Sequence, residues 1–128
     1  MFQILVVEDD ADLNYTVCSF LNQNGYKATS CQSAEDAYDA MYNEVFDLIV
    51  SDIMMQRIDG FEFAEAVRKI DQDIPILFMT ARDDIASKQR GFRIGIDDYM
   101  VKPIDLDELF LRIGALLRRA KIASSRRL

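Results

Sequence analysis

The chain has 128 residues, half of them hydrophobic, with no histidine and a net charge of −7, a length that suits one domain with its own core. The missing histidine excludes Ser-His-Asp and Cys-His catalysis, zincin-type metal sites and a phosphohistidine made on the chain itself. No uninterrupted apolar run exceeds four residues, too short for a membrane span or a secretory segment, so a soluble, untargeted chain is expected. Cys18 and Cys31 lack metal-ligand spacing and sit in apolar-periodic segments, which predicts buried, reduced thiols and a cytoplasmic location. The charge is uneven. All 22 acidic residues precede Leu109, whereas residues 109–128 hold six bases and no acid. An acidic body opposes nucleic acid at long range.

In chain order, Ile4 to Val7 is a short apolar run suited to a strand buried on both faces. Leu13, Val17, Phe20, Leu21 and Asn24 then recur at helical spacing, and Gly25 supplies a stop. A short strand over Lys27 to Cys31 leads to Ser33, a plausible N-cap for a helix carrying Ala34, Ala37, Tyr38 and Met41. Leu48-Ile49-Val50 is the third strand, and Phe61, Ala64, Val67 and Ile70 mark the third helix. Ile76 to Met79 is the fourth strand. A helix from about Asp83 to Ile94 has only a weak stripe, Ile85 and Phe92, so its hold on the core should be loose. Tyr99-Met100-Val101 is the fifth strand, and Leu106, Leu109, Phe110, Ile113, Leu116 and Leu117 mark the last helix. Five strand–helix units with right-handed crossovers give an α/β fold, a doubly wound, parallel, five-stranded sheet covered on both faces.

In such sheets sites form outside the carboxyl ends of the strands. There the chain places Glu8-Asp9-Asp10, Asp52, Thr80 and Lys102-Pro103, which should converge on one rim. Carboxylates brought together must take up protons or hold a cation, and an oxygen-only donor set suits Mg²⁺. A carboxylate nucleophile, a divalent cation, a lysine and a hydroxyl make a phosphoryl-transfer site. Asp10 reads instead as a helix N-terminal acid favoured by the dipole.

The order and spacing of Val7-Glu8-Asp9-Asp10, Ser51-Asp52-Ile53-Met54, Met79-Thr80-Ala81, Asp97-Asp98-Tyr99 and Lys102-Pro103 resemble the receiver domain of two-component response regulators, over essentially the whole chain. The resemblance implies the flavodoxin-like receiver fold, Asp52 as phosphoacceptor from a sensor histidine kinase, and Mg²⁺ on Glu8, Asp9, Asp52 and the Met54 carbonyl. It also implies Thr80 and Lys102 on the phosphoryl group, Tyr99 as a switch aromatic that moves inward behind Thr80, and a cis Lys102-Pro103 bond. The family commonly has proline and glycine where this chain has Gln56 and Arg57.

Lys88, Asp97, Asp98, Glu108, Arg112 and Arg119, with Phe92 and Leu111 as an apolar centre, are similar to the set through which the OmpR/PhoB subfamily forms a symmetric dimer on phosphorylation. The receiver is expected over residues 1–120. Residues 121–128 would begin a linker, since the segment from Arg118 leaves the helical pattern and ends in small and basic residues, and the resemblance to that subfamily implies a winged-helix DNA-binding domain after it. A stand-alone receiver relay is the alternative. A haloacid-dehalogenase-type phosphatase is disfavoured because Met54 stands where its general acid belongs. A flavodoxin-like nucleotide binder would need a Gly/Ser/Thr-rich loop where residues 8–12 are acidic.

Overall fold

The computed structural model describes residues 1–125, with side chains through residue 121. Strands and helices alternate: β1 (Gln3–Val7), α1 (Ala11–Gln23), β2 (Lys27–Cys31), α2 (Ala34–Asn43), β3 (Leu48–Ser51), α3 (Gly60–Ile70), β4 (Ile76–Thr80), α4 (Ile85–Ile94), β5 (Asp98–Val101) and α5 (Leu106–Ser125). The strands form one parallel sheet in the order β2-β1-β3-β4-β5. Its two faces divide the apolar runs by the two-residue period of a strand. Ile4 and Val6 pack with Val17 and Leu21 of α1 and Leu109 and Ile113 of α5. Leu5 and Val7 face the other way, with Ala37 of α2 and Phe61, Phe63 and Val67 of α3.

β1, β3, β4 and β5 each extend one residue past the run read from the sequence, and two helices differ by more. Helix α4 begins at Ile85 rather than Asp83, because the Asp84 carboxylate accepts the Ser87 amide at 2.9 Å and so caps the helix from outside. Helix α5 does not leave the helical pattern at Arg118 but runs to Ser125, through the expected start of a linker. Arg, Ala and Lys are strong helix formers, and loss of an apolar stripe ends burial without ending a helix. Residues 126–128 of the expected linker lie outside the described residues.

The loose fit of α4 is as expected. It buries only Ser87 and Gly91, and Arg90 lies 4.2 Å over the Phe61 ring of α3. Cys18 and Cys31 are free and buried, and burial pushes both thiols up to about 11, which keeps them protonated and inert at neutral pH.

Three residues that bear no apolar periodicity fix neighbouring elements to one another. Asn14, buried in α1, donates through Nδ2 to the carbonyls of Glu8 at 3.0 Å and Cys31 at 2.9 Å. Its Oδ1 accepts the Ser30 hydroxyl and the Cys18 thiol. The ends of β1 and β2 are thereby tied to one helix. Arg68 of α3 reaches the Gly95 carbonyl through Nε and Nη2, the Asp71 and Ile74 carbonyls through Nη1, and Asp97.

Gly60 opens α3 against the backbone that carries Asp52, donating its amide to the Ile53 carbonyl at 2.8 Å. A Cβ there would run into the Asp52 carbonyl oxygen and lie 2.6 Å from Ile53 Cα. Gly60→Ala must push α3 and the backbone that follows β3 apart. It should cost about 1–3 kcal/mol, read as a lower urea midpoint at unchanged slope, and an unchanged midpoint would refute the clash.

Candidate functional site

Glu8, Asp52 and Lys102 are each the first residue to leave their strand, held by one last ladder hydrogen bond. The Glu8 amide donates to the Cys31 carbonyl at 2.9 Å, the Asp52 amide to Val7 at 3.0 Å, and the Lys102 amide to Thr80 at 2.8 Å. β1 and β3 are neighbours in the sheet, yet their chains depart to opposite faces, into α1 and α3. The crevice between departing chains is where an open α/β sheet takes its ligand.

Glu8, Asp9 and Asp52 meet there, one carboxylate oxygen of each lying within 4.8 Å of the others. Glu8 and Asp52 are buried and Asp9 is exposed. Between the two buried acids stands the Lys102 ammonium, 2.6 Å from Glu8 Oε1 and 2.7 Å from Asp52 Oδ2. The remaining oxygens accept backbone amides, Glu8 Oε2 from Asp10 at 3.0 Å and Asp52 Oδ1 from Met54 at 3.1 Å. Burial pushes the Glu8 carboxyl up to about 7, with the Asp52 charge adding to the rise and the Lys102 ammonium and Asp10 amide opposing it. Burial works to lower the Lys102 ammonium, but the two carboxylates outweigh it and hold the group above its ordinary value. The Lys102–Pro103 bond is cis, as the resemblance implied.

Asp10 caps α1, its side chain accepting the Asp12 and Leu13 amides, so it serves the helix rather than the cluster. Thr80 is fully buried at the end of β4, and the Arg82 amide reaches its hydroxyl oxygen only at 3.4 Å. Tyr99 is half-buried, its ring edge-on to Phe78, and its hydroxyl donates to the Arg82 carbonyl at 2.6 Å. The side chain of Met54 is exposed, and its amide is what reaches Asp52.

The charged residues on and around α4, β5 and α5 make pairs within the chain. Arg112 holds Asp98 at 2.8 Å and Glu108 at 2.9 Å, and Lys88 holds Asp83 at 3.2 Å. Asp97 accepts Arg68 and the Ile76 amide, and with the exposed Arg119 it lines a small cavity beside α5. Phe92 and Leu111 are exposed.

Asn14, Gly60 and Arg68 escaped the sequence reading. For Asn14 a signal existed: it lies between Leu13 and Val17, inside the buried stripe of α1, where an amide needs partners. Gly60 and Arg68 are explained by carbonyls remote in sequence, and no local pattern marks them.

A family model described as the response regulator receiver domain matches residues 4–114. Response regulator MprA of Mycobacterium sp. (strain KMS) is 41% identical over 117 residues, which cover 91% of this chain and 51% of that protein. Transcriptional regulatory protein PcoR of Escherichia coli is 36% identical over 121 residues, 94% of this chain and 54% of that protein. The chain spans about half the length of these relatives. Among solved structures, a Francisella response regulator 1452 receiver domain matches with a TM-score of 0.87 at 29% identity, covering 93% of this chain and 98% of that one. Vibrio cholerae chemotaxis protein CheY4 matches with a TM-score of 0.87 at 29% identity, over 91% and 98%. With a family model matched over residues 4–114 and relatives more than 35% identical over nine-tenths of its length, the chain that carries this acid pocket and its lysine belongs to the response regulator receiver domain family.

Proposed function

We propose that this domain accepts a phosphoryl group on Asp52 from a sensor histidine kinase, with Mg²⁺, and that phosphorylation switches a homodimer controlling an output domain that follows it. The observation that carries this reading is the Lys102 ammonium bound to both Glu8 and Asp52, with Asp9 beside them. A pocket of carboxylates accepts a phosphate-bearing donor only if positive charge offsets them. The all-oxygen cluster fits Mg²⁺. Glu8, Asp9, Asp52 and the Met54 carbonyl would hold the ion, which when bound neutralises charge on the transferred oxygens.

Asp52 is the nucleophile, oriented by the Met54 amide and by Lys102. Lys102 then exchanges its Asp52 contact for a phosphoryl oxygen, and its bond to Glu8 keeps the ammonium in place. The Thr80 hydroxyl, weakly engaged at 3.4 Å, is free to turn toward a second phosphoryl oxygen. Tyr99 follows inward, giving up its bond to the Arg82 carbonyl. That carbonyl lies just before the loosely packed α4, a segment that shifts at low cost. Transcriptional regulation through a winged-helix domain beyond residue 128, in the cytoplasm, is the output that the transcriptional relatives favour.

Incubation with acetyl phosphate and Mg²⁺ should add one phosphoryl group by intact mass, on Asp52. Equal uptake by Asp52→Asn, or uptake in excess EDTA, would overturn the assignment.

The raised Glu8 value has a thermodynamic sign. The folded chain binds this proton more tightly than the unfolded one, so its stabilisation is present at low pH and is lost as pH rises from 4.5 toward 7. Thermal melts of the metal-free domain across that window should fall more steeply for the wild type than for Glu8→Gln; parallel curves would contradict the shift.

Phosphorylation should drive dimerisation through the face carrying Lys88, Phe92, Asp97, Asp98, Glu108, Leu111, Arg112 and Arg119. Two-fold symmetry uses each charge pair twice, multiplying contributions of ~0.2–1 kcal/mol apiece. Sedimentation of the beryllofluoride form should show a dimer that weakens with salt and is lost in Arg112→Glu. A dimer unchanged in that variant would place the interface elsewhere.

A further inference from the structure

Beside the acid cluster lies a cavity of about 400 Å³ lined by Asp9, Gln32, Ser33, Asp36, Gln56 and Arg57. Arg57 belongs to the loop between β3 and α3. Its φ is +66°, and the Ile58 amide donates to the Gln56 carbonyl at 2.8 Å across it. Arg57 is thus the centre of a γ-turn with positive φ, a rare and strained form for any residue with a side chain. Among the described residues only Arg57 holds φ positive without being glycine, and strain of this kind concentrates at functional positions.

The contact that Arg57 makes does not account for it. Its Nε lies 3.3 Å from Glu35 Oε2 on the first turn of α2, with the arginine side chain 79% exposed. A single-oxygen pair so open to water contributes little. The other carboxylate oxygen, Glu35 Oε1, is buried with no hydrogen-bond partner, so Glu35 is not a well-matched fork for a guanidinium.

Electrostatics supply a role. Asp9 and Asp36 line the cavity, Glu8 and Asp52 lie behind Asp9, and Arg57 is the only cation among the lining residues. An anionic phosphodonor entering from solvent meets like charge at every other ionisable group of the wall. We propose that Arg57 is the residue that receives and positions the donor: its guanidinium leaves Glu35 and takes anionic oxygens of an acyl-phosphate donor in this cavity, with the phosphorus toward Asp52. A planar fork suits two such oxygens. The inference rests on the reading of Asp52 as acceptor. In the step itself the Asp52 oxygen–phosphorus bond forms while the bond from phosphorus to the acyl oxygen breaks, and the electron pair leaves with the carboxylate product. Arg57 takes no part in either bond.

The test is the second-order rate constant for phosphorylation at fixed Mg²⁺, with acetyl phosphate and with phosphoramidate, whose net charge is lower. Arg57→Ala and Arg57→Gly should react about fivefold more slowly with acetyl phosphate, while Arg57→Lys retains most of the rate. Glu35→Gln, which removes the competing charge, should raise it. The loss should be smaller with phosphoramidate and should shrink as salt is added. Because glycine adopts positive φ freely, Arg57→Gly should melt no lower than the wild type, which separates a slower reaction from a damaged fold. Wild-type rates for Arg57→Ala and Arg57→Gly, or a loss equal for both donors and indifferent to salt, would overturn the inference while leaving Asp52 as acceptor. No uptake on Asp52 by the wild type would overturn the assignment of the site itself, and this inference with it.

Discussion

One ammonium between two buried carboxylates is the interaction around which this molecule is arranged. Lys102 sits at the end of β5, Glu8 at the end of β1 and Asp52 at the end of β3, so the pair of contacts closes only when β1, β3, β4 and β5 are in register. Removing the lysine would leave two acids facing each other out of water, the situation in which breaking a buried ion pair is costly. The same arrangement stores the chemistry. The Asp52 carboxylate binds a cation through one oxygen and a backbone amide through the other, which fixes its orientation.

The fold serves this contact by dividing labour between the faces of the sheet. α1 and α5 cover one face with a continuous apolar seam, and α2 and α3 cover the other. α4 contributes little to either. Rigidity is therefore concentrated under Asp52 and at β1, where Asn14 saturates its amide against two strand ends and Gly60 lets α3 press on the backbone of Asp52. Compliance is left near β5, where Tyr99 and Thr80 sit.

The five strand–helix units and the convergence of Glu8, Asp9, Asp52, Thr80 and Lys102 on one rim were readable because both follow from local pattern plus one topological rule. Strand ends in a parallel sheet share an edge whatever lies between them. What escaped reading depends on partners remote in the chain. Nothing near Arg68 announces that its guanidinium will meet Gly95, 27 residues on, and nothing near Gly60 announces the backbone it presses against. The last turns of α5 escaped for a different reason. Their apolar stripe fades after Leu117, and a segment without such a stripe looks like a linker although the helix continues. At α4 two successive acids, Asp83 and Asp84, both suit a cap, and only the hydrogen bond to Ser87 chooses between them.

The Arg68 clamp has a mechanical consequence. By binding the Gly95 carbonyl, which ends α4, together with the carbonyls of Asp71 and Ile74 that precede β4, it pins the helix at its carboxyl end to the side of the sheet away from the acids. The amino end of α4 follows Arg82, the residue that Tyr99 grips by its carbonyl. α4 is a lever with its fulcrum at Gly95. A displacement beside Thr80 would sweep the first turn of the helix farthest and the last turn least, so the part of the surface free to travel most is the part nearest the acid pocket.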